Sequence, residues 1–81
     1  MKIYSMYDVV SCEYGTPFTA INYEDCKRKL AYSQQSNPFC RDIKVFYVGD
    51  FCVDTGTIVA APKAEFMFNL IDIVSNNVGD V

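Results

Sequence analysis

Eighty-one residues are enough for one domain and leave no room for a second core. Half of the residues are apolar, and twelve are Tyr or Phe, which excludes a disordered chain. The net charge of −3, with no histidine, argues against a strongly basic nucleic-acid binder and against catalysis that needs an imidazole. The charge is unevenly spread: residues 1–44 carry six bases and five acids, whereas residues 45–81 carry one base, Lys63, and five acids.

From the N-terminus, Lys2–Ser11 is rich in β-branched and aromatic residues without Gly or Pro. Alternation puts Ile3, Ser5, Tyr7 and Val9 on one face and Tyr4, Met6, Asp8 and Val10 on the other. Neither face is cleanly polar, which predicts a central strand. No signal peptide is expected ahead of it. Glu13–Thr16 reads as a turn, and Pro17–Ile21 as a short extended return.

Asn22 is a good helix N-cap, with Glu24 and Asp25 in the first turn, where the helix dipole favours negative charge. Ile21 and Cys26 fall at the positions of a hydrophobic staple. A helix is therefore expected over about 22–35, with Tyr23, Cys26, Leu30 and Ser33 inward and Glu24, Arg28 and Gln35 outward. Pro38 ends it by driving Asn37 out of helical geometry.

Ile43–Val53 is a second long strand pattern, with Ile43, Val45 and Tyr47 opposite Phe46, Val48 and Cys52. Asp54–Thr55–Gly56 is a tight turn in which Gly56 takes a positive φ. Thr57–Ala61 returns, so 43–61 is expected to form an antiparallel hairpin. After Pro62, Glu65, Asn69, Asp72 and Asn76 recur at helical spacing, although Phe66, Phe68 and Leu70 alternate as in a strand. A helix beginning near Pro62 is the favoured reading, and 75–81 reads as a frayed tail. The sum is a single α+β domain over 1–81: a small antiparallel sheet, one helix packed on one face, and a C-terminal apolar helix.

The four cysteines, Cys12, Cys26, Cys40 and Cys52, form no C-x-x-C pair and have no histidine partner, so neither a zinc site nor any other metal or cofactor is expected. They read as free thiols, mostly packed as small apolar residues. No apolar run approaches the ~20 residues that span a bilayer. No phosphate-binding glycine loop or metalloprotease motif appears, and a non-enzymatic, binding role is expected.

The aromatics are more numerous than so small a core can bury. Sheet-borne rings beside cations can stack the bases of single-stranded nucleic acid. Lys27, Arg28 and Tyr32 on the helix, and Lys44 and Tyr47 on the second long strand, are the expected nucleic-acid contacts. Packing of the same rings in the core or at an interface is the plainer alternative. Phe66, Phe68 and Leu70 belong to a segment too apolar for a surface element, and are the expected contacts of a homodimer or larger homo-oligomer.

The order of short motifs adds a resemblance. Tyr4-Ser5-x-Tyr7-Asp8 is followed by Pro17-Phe18, a helix, Pro38-Phe39, Arg41-Asp42-x-x-x-Phe46, Val48-Gly49-x-Phe51 and Asp54-Thr55-Gly56. Over residues 2–61 this resembles the small nonstructural protein of gokushovirus-type microviruses, the icosahedral single-stranded DNA phages. The chain departs from that pattern in having Cys52 after the Phe of the turn and Arg41-Asp42 before the central strand. The resemblance implies a protein of the host bacterial cytoplasm that binds single-stranded DNA during genome replication or packaging. The alternative is an adaptor for a phage replication or capsid component or a host factor.

Overall fold

The computed structural model describes residues 1–78. Five strands form one antiparallel sheet: β1 (Lys2–Asp8), β2 (Glu13–Tyr14), β3 (Phe18–Ala20), β4 (Ile43–Phe51) and β5 (Ile58–Asn69). Helix α1 (Tyr23–Ser33) joins β3 to a 3-10 turn (Cys40–Asp42), and helix α2 (Leu70–Val78) follows β5. The order is β2-β1-β4-β5, with β3 also pairing to β1. β1 is therefore central, as its two mixed faces predict. β2 meets Tyr7 and Asp8, β3 meets Lys2–Tyr4, and β4 runs along the opposite side.

The α+β expectation is corrected. The chain is mostly β, a curled antiparallel half-barrel sheet with only short helices. The helix expected from Pro62 does not form. Residues 58–69 are one strand, with Tyr47 opposite Glu65, Phe46 opposite Phe66 and Val45 opposite Phe68. Helical geometry starts only at Leu70.

Two irregularities explain the misreading. In a regular strand, Phe66 and Phe68 would share a face, but the register slips between Val45 and Phe46, so Phe68 enters the core while Phe66 lies outside. A second slip between Tyr47 and Gly49 sets residues 61–64 of β5 against Val48 alone. Pro62 falls in that excursion, on an edge strand, where a missing N–H costs no ladder bond. Of the polar positions at helical spacing, Glu65 and Asn69 lie on the strand either side of the first slip, and only Asp72 and Asn76 fall in α2. The backbone of 75–78 continues α2, and the remainder of the expected frayed tail, 79–81, lies outside the described residues.

The core lies between one face of the sheet and the two helices. Tyr4, Val45 and Phe68 from the strands meet Ala20, Cys26, Leu30, Cys40, Leu70 and Val74. Burial pushes the Tyr4 phenol up to about 12 and the Cys26 thiol up to about 11, so both remain neutral inside.

α1 starts as its sequence predicts. The Asn22 side chain accepts from the Asp25 amide at 2.9 Å. The staple does not form, because Ile21 is exposed. Its amide instead donates to the Asp25 carboxylate at 3.0 Å. Glu13–Tyr14, expected as a turn, is β2. Ser5 Oγ donates to the Gly15 carbonyl at 2.8 Å and the Gly15 amide donates to the Met6 carbonyl at 2.7 Å, fixing this short strand against β1. At the hairpin, Gly56 has φ of 75° and its amide donates to the Cys52 carbonyl at 2.8 Å.

Candidate nucleic-acid interface

Strand alternation sends Tyr4 and Met6 of β1 towards the helices and Ser5 and Tyr7 away from them. In β4, Ile43 and Val45 enter the core, so Lys44 and Phe46 face outward. The register then sets Tyr7 between Tyr14 and Lys44, and Phe46 between Ser5 and Phe66. Four strands each contribute one ring to the face that no helix covers.

The rings touch in sequence across the sheet. Tyr14 lies 4.7 Å from Tyr7 and 5.4 Å from Phe46, and Phe46 lies 5.7 Å from Phe66, all between centroids. The contacts involving Phe46 are edge-on, at 70–77° between planes, a favoured geometry for aromatic pairs. Tyr14 and Phe66 end the row about half exposed, at 51% and 49%. Lys44 Nζ stands 5.3 Å from the centroid of Phe66 and donates to Asn69 Oδ1 at 3.2 Å. Hydrogen bonding to Cys12, reinforced by desolvation, raises the Tyr7 pKa.

Chemically, the arrangement is a stacking platform with a cation at one end. A flat ring laid on it would gain aromatic contact, and an anion attached to that ring could reach Lys44. The neighbouring acids are directed elsewhere. Asp8 pairs with Glu13 in the register, one residue out of phase with Tyr7 and Tyr14, and its carboxylate accepts from the Val10 amide at 2.8 Å.

Of the nucleic-acid residues expected from sequence, only Lys44 belongs to this face. Tyr47 projects on the helix side, where its hydroxyl donates to Asp50 at 2.6 Å and Lys2 stands 5.4 Å from its ring centroid. The α1 residues also lie on the helix side. Lys27 pairs with Glu24 at 3.3 Å and stands 4.5 Å from the centroid of Tyr23. Arg28 and Lys29 converge on Asp25, at 2.6 and 3.3 Å. Tyr32 is 80% exposed on the same helix, remote from the platform face. Phe66, expected at an oligomer interface, closes the platform; Phe68 and Leu70 are buried in the chain's own core.

Sequence reasoning missed Tyr7, Tyr14 and Phe46. Alternation already separates Phe46 from Val45 and Tyr7 from Tyr4. The missing information is the register that brings the three rings together. Among the described residues, no group of three or more His, Cys, Asp or Glu could hold a metal ion, and no helix is long and apolar enough to cross a membrane.

These features define a small antiparallel-sheet protein with helices on one face and an open aromatic row on the other. The family model for the Phage ORF5 protein matches residues 1–73, so the chain belongs to that family and is a phage protein. The match takes in β5 and the start of α2, beyond the stretch that carries the microvirus resemblance. No curated protein and no solved structure matches the chain.

Proposed function

We propose that this phage protein is a non-enzymatic accessory factor that binds single-stranded DNA on the open aromatic face, during genome replication or packaging in the host bacterial cytoplasm. The observation that carries the reading is the row Tyr14, Tyr7, Phe46 and Phe66 with Lys44 at its end. A folded chain this short gains by burying its rings, and an exposed cluster of them is a common mark of a binding surface. The motif resemblance to proteins of single-stranded DNA phages supplies the ligand.

The test is fluorescence anisotropy of a labelled single strand against the full chain, with a duplex of the same sequence as control. Binding that favours the single strand and is lost in Tyr14→Ala/Phe66→Ala, with the variant still folded by circular dichroism at the assay temperature, is the expected result. Equal binding to duplex, or none at low salt, would refute it.

An adaptor role has one specific observation in its favour. Ile58 and Val59 are 65% and 62% exposed on β5, the edge of the sheet, where an added strand from a replication or capsid protein could pair. Retention of such a partner by the wild type but not by Val59→Lys would favour that reading.

A further inference from the structure

We infer that the platform takes about three unpaired nucleotides, laid across the strands from Tyr14 to Phe66, and grips them by stacking with a single phosphate contact at Lys44; this deepens the single-stranded DNA reading above and rests on it. The number follows from the spacing of the rings. The path Tyr14, Phe46, Phe66 has steps of 5.4 and 5.7 Å, well above the ~3.4 Å between neighbouring bases of a stacked strand. Bases following this path must open from one another, and a base at either end then meets a half-exposed ring instead of its neighbour. Tyr14 and Phe66 each accept one base, a third spans the edge-on Phe46 between them, and Tyr7, beside Tyr14, backs the first. A duplex cannot open in this way without unpairing.

The charge inventory sets the balance of forces. Lys44 is the cation that the described contacts place on this face, at the Phe66 end. Lys27, Arg28 and Lys29 are on the helix side and engaged with Glu24 and Asp25. One ammonium can neutralise one phosphate, so the salt dependence should correspond to a single released counterion. Such a site is shorter than the ~4–16 nucleotides covered by common single-strand-binding folds.

The experiment is an NMR titration of the full chain with oligothymidylates of two, three, six and twelve nucleotides over a range of salt. Affinity should rise from two nucleotides to three, then only in proportion to the number of registers available. The slope of log affinity against log salt should be about −0.7, and Lys44→Gln should bring it close to zero. The shifted signals should be those of Tyr7, Tyr14, Phe46 and Phe66. Affinity per register that climbs tenfold between three and six nucleotides, or a slope steeper than about −2, would overturn the inference while leaving DNA binding intact. Shifts confined to Arg28 and Tyr32 would also leave DNA binding intact and overturn this site. If no oligonucleotide shifts any signal, the single-stranded DNA reading fails as well.

Discussion

Gly49→Ala should be the most destabilising single methyl addition at the described glycines. Gly49 is buried in β4, opposite Ile3 of β1 and Ala60 of β5, and both ladders lose their regular register beside it. A Cβ there would lie 2.6 Å from the Val59 carbonyl oxygen and 3.2 Å from the Ala60 Cα. Both obstacles are backbone, so no side chain can swing aside. Overpacking of this kind costs about 1–3 kcal/mol. Displacing β5 also strains the adjacent ladder bonds, each worth ~0.5–1.5 kcal/mol. Alanine recovers ~0.4–1 kcal/mol by restricting the unfolded chain. The net loss should be about 2–3 kcal/mol, a large share of the ~4–12 kcal/mol typical of a domain this size. Urea unfolding followed by circular dichroism should show a lower midpoint at unchanged m-value. Gly56→Ala is the control, because its Cβ meets nothing within 4 Å and only the φ of 75° penalises it, at ~1–2 kcal/mol. If Gly49→Ala costs less than about 0.5 kcal/mol, the proposed close approach of β4 and β5 is wrong.

Three further outcomes follow from individual contacts. Hydrogen bonds from the Ile21 amide and then Arg28 lower the Asp25 carboxyl from 3.8 to about 2. Its stabilising contribution is therefore complete above pH 4 and lost as pH falls towards 2, and Asp25→Asn should remove that limb from an acid-unfolding profile. Hydrogen bonding from Thr55 lowers the exposed Cys52 thiol, whereas burial raises Cys26. A thiol reagent at neutral pH should consequently modify Cys52 well before Cys26, and faster labelling of Cys26 would contradict the described packing. Tyr14→Ala/Phe66→Ala should lower single-strand affinity at least tenfold by anisotropy, given ~1–3 kcal/mol per stacked base; the lost ring contacts, at ~0.5–1.5 kcal/mol each, should lower the unfolding midpoint while the chain stays folded by circular dichroism at the assay temperature.

Several elements are legible in the residues alone because their causes are local. Asn22, Glu24 and Asp25 mark the start of α1 through capping and dipole, and Asp54–Thr55–Gly56 marks the hairpin turn through a positive φ that glycine tolerates. Alternation in β4 separates Val45 from Phe46 without any knowledge of partners. What escapes is everything set by pairing. The slip at Val45/Phe46 sends Phe66 outward and Phe68 inward, and no one-dimensional pattern records it. Glu13–Tyr14 becomes a strand because Tyr7 and Asp8 lie opposite, although its own sequence reads as a turn. The candidate site is the extreme case, since its four rings come from four strands and only the sheet unites them. Lysines on α1 look available in a sequence, yet their acidic partners lie three or four residues before them and engage them on the helix itself.

The same ion pairs reconcile a net charge of −3 with the proposed binding to a polyanion. Lys2, Lys27, Arg28 and Lys29 are each within 3.5 Å of a carboxylate, so more than half of the seven bases are already engaged. A binder relying on six to ten phosphate contacts loses ~10³–10⁵ in affinity between 50 and 200 mM salt. A face whose phosphate contact is Lys44, at a slope of about −0.7, loses less than about threefold over the same range. On the proposed reading, the acidic remainder of the surface would slow the encounter with DNA. A strand that arrived would be held by the rings, through contacts that salt does not screen. Affinity should therefore be modest and nearly constant with ionic strength, and the mutations that abolish it should remove rings and not charges.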